Sequence, residues 1–330
     1  MEELKTLEEM QRVKQEIFNE IHKVIVGQDE IIEKILIGLF AGGHCLLIGV
    51  PGLAKTLMVK TLSQILDLQF KRIQFTPDLM PSDITGTEII HEDRVSRDRS
   101  LQFIPGPIFA NLVLADEINR APPKTQAALL EAMQEFNVTA GGKGYQLPYP
   151  FLVLATQNPI ELEGTYPLPE AQLDRFMLSI NMDYPCESEE KKIVELTTSL
   201  SSPEIKKVIS GGEIKKFQML VREIPVSDYV IGYGVNLVRH TRPGEKNQSP
   251  EFVKEYVSWG AGPRAAQYLI LSAKARAALR GDVNVSVADI KAVSECVLKH
   301  RIFTNFNADA EGIDSGKIVR RLLEEIGENL

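Results

Sequence analysis

The stretch Cys45-Leu46-Leu47-Ile48-Gly49-Val50-Pro51-Gly52-Leu53-Ala54-Lys55-Thr56 carries the strongest structural signal in the chain. Its first four residues form an apolar run that predicts a buried strand, and the pattern after Thr56 predicts a helix as far as Leu66. A strand, a glycine-rich turn ending in Lys-Thr and a helix are the context of a P-loop, in which backbone N–H groups and a helix N-terminus surround phosphate groups. Ala54 stands where the simplest form of this pattern has glycine, which weakens the motif when it is taken alone.

The last two residues of this stretch are expected to carry chemistry. Lys55 would contact the outer phosphates of a nucleotide, and the Thr56 hydroxyl would bind Mg²⁺. The predicted phosphate-binding residues are Gly49, Val50, Pro51, Gly52, Leu53, Ala54, Lys55, Thr56 and Leu57.

The composition is that of an ordinary globular protein with room for two domains. The chain has 330 residues, of which 44% are hydrophobic and 25% charged, and a formal net charge of −8. This acidic balance argues against a surface built to bind nucleic acid. No apolar run approaches the roughly 18 residues that span a bilayer, and the acidic start lacks a signal-peptide core. The three cysteines lie far apart without metal-ligand spacing, which fits a reducing cytosol, and the five histidines show no metal-ligand spacing either. We therefore expect a cytoplasmic protein without membrane insertion.

Short apolar runs alternate with helical patterns in the first part of the chain, which predicts an α/β fold with a mostly parallel sheet. The predicted strands are 44–48, 70–75, 112–115, 151–155 and 176–182. Polar, alternating segments at about 84–103 and 138–147 predict two hairpins, and the pattern is helical after residue 187. The predicted domains are an α/β nucleotide-binding core at 1–185, a linker at 186–225 and a helical domain at 226–330.

Polar residues follow two of these predicted strands. Asp116 and Glu117 end the run 112–115, and Asn158 comes after the run 151–155. Because the carboxyl ends of parallel strands form the ligand crevice of an α/β sheet, these side chains are expected near the P-loop. Asp116 would complete the Mg²⁺ shell, Glu117 would polarise the attacking water, and Asn158 would hold that water or the γ-phosphate. An acidic helix start and an Asn-Pro turn are the structural alternatives.

In order and spacing, these motifs resemble the MoxR family of AAA+ ATPases, and the resemblance covers nearly the whole chain. The matching segments are 49–56, 115–120, 155–159, 164–169, 173–176 and 262–265. Ala54 matches the MoxR form of the loop. The resemblance implies an α/β P-loop AAA+ fold, with a three-layer core around a parallel five-stranded sheet and an all-α lid domain after it.

The resemblance also implies roles for two arginines and one turn. Arg175 matches the arginine that such ATPases insert into the active site of a neighbouring subunit; a salt bridge to Asp174 or Glu170 within one subunit is the alternative. Arg264 matches the sensor-2 arginine of the lid, which implies a nucleotide-binding role. A solvated arginine at a helix start is the alternative, but a positive charge there opposes the helix dipole, so a nearby ligand would explain it. Val26 and Gly27 lie in a turn that resembles the adenine-packing segment, or they merely connect two helices.

Known members of this family couple Mg²⁺-dependent ATP hydrolysis to chaperone-like work, such as maturing enzymes or inserting metals. The resemblance therefore implies a homo-oligomer, expected to be a hexameric ring, that acts on a protein client together with a protein carrying a von Willebrand factor A domain. Two other hypotheses stay open at this point. One is a nucleic-acid motor or chelatase-like subunit, against which the acidic composition argues. The other is a scaffold that binds ATP with negligible turnover.

The two predicted hairpins correspond to inserts that point toward the central pore in related rings. The first contains three arginines and three acidic residues between positions 92 and 99, and such cancellation suits a protein surface better than a phosphate track. Lys143 at the tip of the second hairpin is most simply a solvated turn residue.

Overall fold

A parallel five-stranded sheet, covered by helices on both faces, forms the centre of the α/β part of the chain. The computed structural model describes residues 2–92, 99–161, 164–199, 203–244 and 249–326. The strands of this part are β1 (Cys45–Ile48), β2 (Phe70–Gln74), β3 (Gly86–Glu92), β4 (Arg99–Pro105), β5 (Leu112–Asp116), β6 (Asn137–Ala140), β7 (Lys143–Gln146), β8 (Leu152–Gln157) and β9 (Leu178–Asn181). The helices are α1 (Glu2–Ile21), α2 (Asp29–Ala41), α3 (Lys55–Ile65), α4 (Pro81–Thr85), α5 (Pro123–Glu135) and α6 (Glu170–Leu173).

The sheet has the strand order β2-β5-β8-β1-β9, and every pair in it is parallel. Successive residues of each strand face opposite sides of the sheet. Leu47 and Leu114 belong to the core on the side of α1, α2 and α3, whereas Leu46 and Val113 belong to the core on the side of α5. Because both faces are covered, the strands appear in the sequence as continuous apolar runs. The predicted three-layer arrangement is confirmed.

Two antiparallel hairpins extend from this core. Strand β3 pairs with β4, and β6 pairs with β7. The hairpins contact each other through the rings of Phe103 and Tyr145, which stack with centroids 4.0 Å apart. Residues 93–98, which hold most of the charges at the tip of the first hairpin, lie outside the described residues.

The segment predicted as a linker contains the helices α7 (Glu187–Thr198) and α8 (Gly211–Glu223). No residue of α7 is buried. By contrast, α8 buries Ile214, Phe217 and Val221 and contacts α1 and α2. Helix α8 therefore belongs to the packed structure, whereas α7 lies on the surface.

The described residues after α8 are mainly helical. Their helices are α9 (Asp228–His240), α10 (Glu251–Tyr256), α11 (Pro263–Arg280), α12 (Val287–Leu298), α13 (Phe306–Ala310) and α14 (Ser315–Ile326). They also contain one antiparallel strand pair, β10 (Val257–Trp259) with β11 (Phe303–Thr304). The helical pattern through Val257 did not predict this pair, because the extended backbone of Val257 is stabilised by a partner 47 residues away. Within the described ranges, no helix is both long and apolar enough to cross a membrane.

Candidate functional site

The P-loop joins β1 to α3 through backbone conformations that few residue types adopt. Gly52 has a φ of 88°, and a Cβ atom on Gly49 would lie 2.9 Å from the carbonyl oxygen of Met182. Ala54 is left-handed, with a φ of 55°, directly before α3 begins at Lys55. This conformation costs a non-glycine residue about 1–2 kcal/mol. Alanine is tolerated at position 54 because its side chain is small and exposed.

A cleft of about 440 Å³ lies beside the P-loop at the carboxyl edge of the sheet. It is lined by Pro51, Gly52, Leu53, Ala54, Lys55, Thr56, Leu57, Arg72, Asp116, Glu117, Thr156 and Asn158. Lys55 Nζ donates a hydrogen bond to the carbonyl oxygen of Gly49. Burial lowers the pKa of Lys55, an effect that the carboxylates of Asp116 and Glu117 partly oppose. The cleft thus brings most of the predicted P-loop residues together with the acidic pair and Asn158.

Asp116, the last residue of β5, is held on both carboxylate oxygens. Thr156 Oγ1 donates to Asp116 Oδ1 at 2.6 Å, and Arg72 Nη2 lies 2.6 Å from Asp116 Oδ2. Arg72 Nε also donates to Oδ2, at 3.0 Å. A carboxylate offers roughly four lone-pair directions, so these three bonds leave room for one further ligand.

Glu117 has a left-handed backbone, with a φ of 57°, where the chain turns from β5 into the short 3₁₀ turn Ile118–Arg120. Its N–H donates to Thr156 Oγ1 at 2.8 Å, so one hydroxyl fixes both members of the acidic pair. Its Oε2 accepts hydrogen bonds from Gln74 Nε2 at 2.9 Å and Arg120 Nη1 at 3.0 Å. A left-handed glutamate that its neighbours hold in place is typical of residues kept for function.

Asn158 forms a turn and also lines the cleft. Its Oδ1 accepts a hydrogen bond from the backbone N–H of Ile160 at 3.2 Å, which is the expected Asn-Pro turn. The residue is 8% exposed and lines the cleft just beyond the end of β8. The turn therefore holds the amide at the cleft.

The cleft has suitable donors for Mg²⁺. The Thr56 hydroxyl and the Asp116 carboxylate both line it, and hard oxygen donors of this kind are those that Mg²⁺ prefers. Elsewhere in the described residues, no group of three or more His, Cys, Asp and Glu side chains is arranged to hold a metal ion. These two side chains fit the predicted metal site.

Val26 and Gly27 line a different cavity, of about 570 Å³, together with Glu189, Lys192 and Leu196 from α7. A third cavity, of about 690 Å³, adjoins both of the others. It shares Leu57 with the P-loop cleft and Leu196 with the cavity of Val26 and Gly27. The third cavity thus has one lining residue in common with the phosphate cleft and one with the cavity at the predicted adenine-packing turn.

Arg175 does not line the cleft, and the sheet explains why. Strand β9 runs parallel to β1, with Leu178 beside Cys45 and Asn181 beside Ile48. The P-loop follows Ile48, whereas Arg175 precedes Leu178, so the two lie beyond opposite edges of the sheet. The strand between them spans about 10 Å. Arg175 Nη1 donates to the carbonyl oxygen of Leu130 at 2.9 Å.

Arg264 also lies on the side of Arg175. Its Nη1 is 2.8 Å from Asp174 Oδ2, and Arg301 Nε is 2.7 Å from Asp174 Oδ1. The Asp174 carboxylate is thus bound by these two arginines and supplies the anion that an arginine at the start of α11 was expected to need.

The sequence-based prediction assigned no role to four residues that hold the site residues in place: Arg72, Gln74, Thr156 and Arg301. Arg72 and Gln74 alternate with the buried Ile73 in β2, and this alternation was a usable signal that both point to the same side of the sheet. Arg301 had no such signal, because its partners in the α/β core lie 124 or more residues away in the sequence.

The fold, the cleft and the helical domain together define an AAA-type P-loop ATPase domain with its lid. The model of the ATPase family associated with various cellular activities (AAA) matches residues 44–178, and the AAA lid domain model matches residues 251–322. The chain belongs to the MoxR family of AAA+ ATPases. The predicted family and fold class are confirmed.

Relatives are similar over almost the full chain. Chaperone MoxR1 of Mycobacterium tuberculosis is 44% identical over 307 residues, which cover 93% of this chain and 80% of the relative. Protein YeaC of Bacillus subtilis, which is uncharacterized, is 42% identical over 93% of this chain and 92% of its own. A crystal structure of a protein from Cytophaga hutchinsonii has a TM-score of 0.89 and 42% identity, and the match covers 98% of this chain and 97% of that one.

Proposed function

We propose that this protein is a Mg²⁺-dependent ATPase whose active sites are completed between subunits of a ring. The observation that carries the proposal is the single cleft in which Lys55, Thr56, Asp116, Glu117 and Asn158 meet. These side chains come from the ends of three adjacent strands, where an α/β sheet binds its ligands.

Each of these residues has a defined task. Lys55 and the backbone of the P-loop hold the phosphates, while Thr56 and Asp116 hold Mg²⁺, which neutralises phosphate charge when bound. Glu117 orients and polarises the attacking water, with Asn158 as a second contact. Val26 and Gly27 take the base; this assignment is supported by the third cavity, which shares Leu57 with the P-loop cleft and Leu196 with the cavity of Val26 and Gly27.

The positions of Arg175 and Arg264 support an active site shared between subunits. Both lie beyond the edge of the sheet opposite the P-loop, from which they do not reach the cleft of their own subunit. In a ring that places this edge against the cleft of the next subunit, both cations face its γ-phosphate. A hexamer is the assembly we propose.

The biological role that fits this machinery is chaperone-like remodelling or maturation of a protein client, with metal insertion as one form of it. The name of the MoxR1 relative supports a chaperone role. A partner with a von Willebrand factor A domain would deliver the client, and the hairpins β3–β4 and β6–β7 would contact it. The net charge of −8 supports a protein client over nucleic acid.

The test measures ATP binding, ATP turnover and oligomer size with and without ATP and Mg²⁺. Glu117→Gln is expected to bind ATP and form the assembly while turnover falls about 10²–10⁴-fold. Arg175→Ala is expected to bind ATP but to lose about 10³–10⁵-fold in rate, because the finger stabilises transition-state charge. Turnover at background in the wild-type oligomer, unchanged by Glu117→Gln, would instead identify an ATP-gated scaffold. Normal turnover in Arg175→Ala would refute the shared active site.

A further inference from the structure

A buried lid side chain, Arg301, makes most of the contacts to the segment that carries Arg175, and the neighbouring His300 adds one, with its Nε2 3.0 Å from the carbonyl oxygen of Phe176. Arg301 ends the 3₁₀ turn Lys299–Arg301 after α12, and its side chain is 2% exposed. Its Nη2 donates to the carbonyl oxygens of Asp174 at 3.0 Å and Phe176 at 2.6 Å, and its Nη1 donates to that of Met177 at 3.3 Å. Three backbone carbonyls around Arg175 are therefore fixed by one guanidinium.

The same guanidinium also reaches the side chain of Asp174. Arg301 Nε donates to Asp174 Oδ1 at 2.7 Å, while the other oxygen of this carboxylate binds Arg264. One carboxylate thus bridges the buried Arg301 and the partly exposed Arg264, which was proposed to act on the neighbouring subunit. Arg301 thus contacts the backbone on both sides of Arg175 and, through the Asp174 carboxylate, is linked to Arg264.

Burying a guanidinium is costly unless its donors are satisfied, and Arg301 satisfies them with Asp174, Phe176 and Met177 of the α/β core and, within the lid, with the carbonyl oxygen of Val297. Tyr268 of α11 covers it, with the ring centroid 5.0 Å from Cζ. Arginine presents five N–H donors in a rigid fork, whereas lysine offers a point charge on a flexible stem. A lysine at position 301 would keep the charge beside Asp174 but would not hold three carbonyls at once.

We propose that Arg301 is a positioning residue for ATP hydrolysis in the neighbouring subunit, because it fixes Arg175 and, through Asp174, Arg264 in their places. This inference rests on the proposed function. On this proposal, the contact between the lid and the segment before β9 contributes to the active site of the neighbouring subunit, since movement of the lid would move both Arg175 and Arg264. A misplacement of 1 Å at a reacting centre costs about 10²-fold in rate.

The first test compares Arg301→Lys with Arg320→Lys. Arg320 is the control because it is a lid arginine with an exposed side chain, and its ion pair within the described residues, with Glu295 at 2.8 Å, lies on the surface. Arg301→Lys is expected to lower kcat about 10²-fold while leaving KM, ATP affinity and oligomer size unchanged. Arg320→Lys is expected to behave as wild type. A wild-type kcat in folded Arg301→Lys, or equal losses in kcat and ATP affinity, would overturn the proposal.

The second test assigns the loss to the neighbouring site. Glu117→Gln subunits, which still offer their own Arg175, are mixed with wild-type subunits, and the ATPase rate is followed against their proportion. Adding Arg175→Ala or Arg301→Lys to the Glu117→Gln subunits should deepen the inhibition, whereas adding Arg320→Lys should not. If only Arg175→Ala deepens it, the role of Arg301 is refuted. If Arg175→Ala does not deepen it, the shared active site itself is refuted, and the role of Arg301 falls with it.

Discussion

Lowering the pH from 7 to 5 is expected to destabilise the folded chain through His44, the residue immediately before β1. Its imidazole is 5% exposed and lies between α5 and β8. Nδ1 accepts the backbone N–H of Val153 at 3.0 Å, and Nε2 lies 3.0 Å from the carbonyl oxygen of Met133. These two bonds require a neutral ring with its proton on Nε2, so the folded protein has no place for a second proton.

The magnitude follows from the pKa of His44. Burial lowers this pKa from 6.5 to about 4. Below pH 6.5 the unfolded chain takes up a proton on this ring while the folded chain stays neutral, so stability that is present above pH 6.5 is lost as the pH falls toward 4. The loss in the free energy of unfolding is about 2 kcal/mol at pH 5 and approaches about 3 kcal/mol below pH 4.

The assay is urea unfolding followed by far-UV circular dichroism at several pH values, for the wild type and His44→Gln. Glutamine donates and accepts hydrogen bonds but does not titrate, so the variant should show a shallower pH dependence by about 2 kcal/mol between pH 7 and 5. The absolute stability of His44→Gln at pH 7 does not test this reasoning, because the substitution also removes the packing of the imidazole ring. Parallel curves for the two proteins over this range would refute the reasoning.

Three further perturbations have defined outcomes. Ala54→Gly should retain ATP binding and turnover, whereas Ala54→Val should lose ATP affinity, because a β-branched residue does not tolerate the left-handed backbone; nucleotide titration distinguishes them. A double-mutant cycle of Phe103→Ala and Tyr145→Ala in thermal unfolding should give a coupling of about 1 kcal/mol, and additive effects would show that the two hairpins move independently. Burial lowers the pKa of Lys299 from 10.5 to about 8, so the folded state disfavours a charge that the unfolded chain keeps up to pH 10.5. Lys299→Met should therefore be the more stable protein at pH 7, by up to about 3 kcal/mol, and its advantage measured in urea should shrink as the pH rises through 8 toward 10.5.

The order of motifs along the chain was enough to predict the fold and most of the cleft. The apolar run at 45–48 and the turn that ends in Lys55 indicate a P-loop from local pattern alone. Asp116 and Asn158 could be placed beside it because parallel strands share their carboxyl edge, so position along each strand converts directly into position in space. Such inferences need no knowledge of side-chain geometry.

Contacts between distant segments could not be predicted in this way. The strand pair β10–β11 forms because Val257 meets a partner from the far end of the lid, which overrides the local helical pattern. Thr156 was visible as part of a motif, but its hydrogen bonds with both Asp116 and Glu117 form only because β5 and β8 are neighbours in the sheet.

The chain's local patterns thus establish its class, its phosphate-binding loop and the residues at the sheet edge, because each is encoded within a few consecutive positions. Tertiary structure alone decides where the arginines stand. Asp174 pairs with Arg264 and Arg301 rather than with Arg175, because the lid folds back against the amino end of β9. The parallel pairing of β9 with β1 sets Arg175 beyond the edge opposite the P-loop, and a distance across a sheet is a property of the folded chain that no stretch of sequence contains.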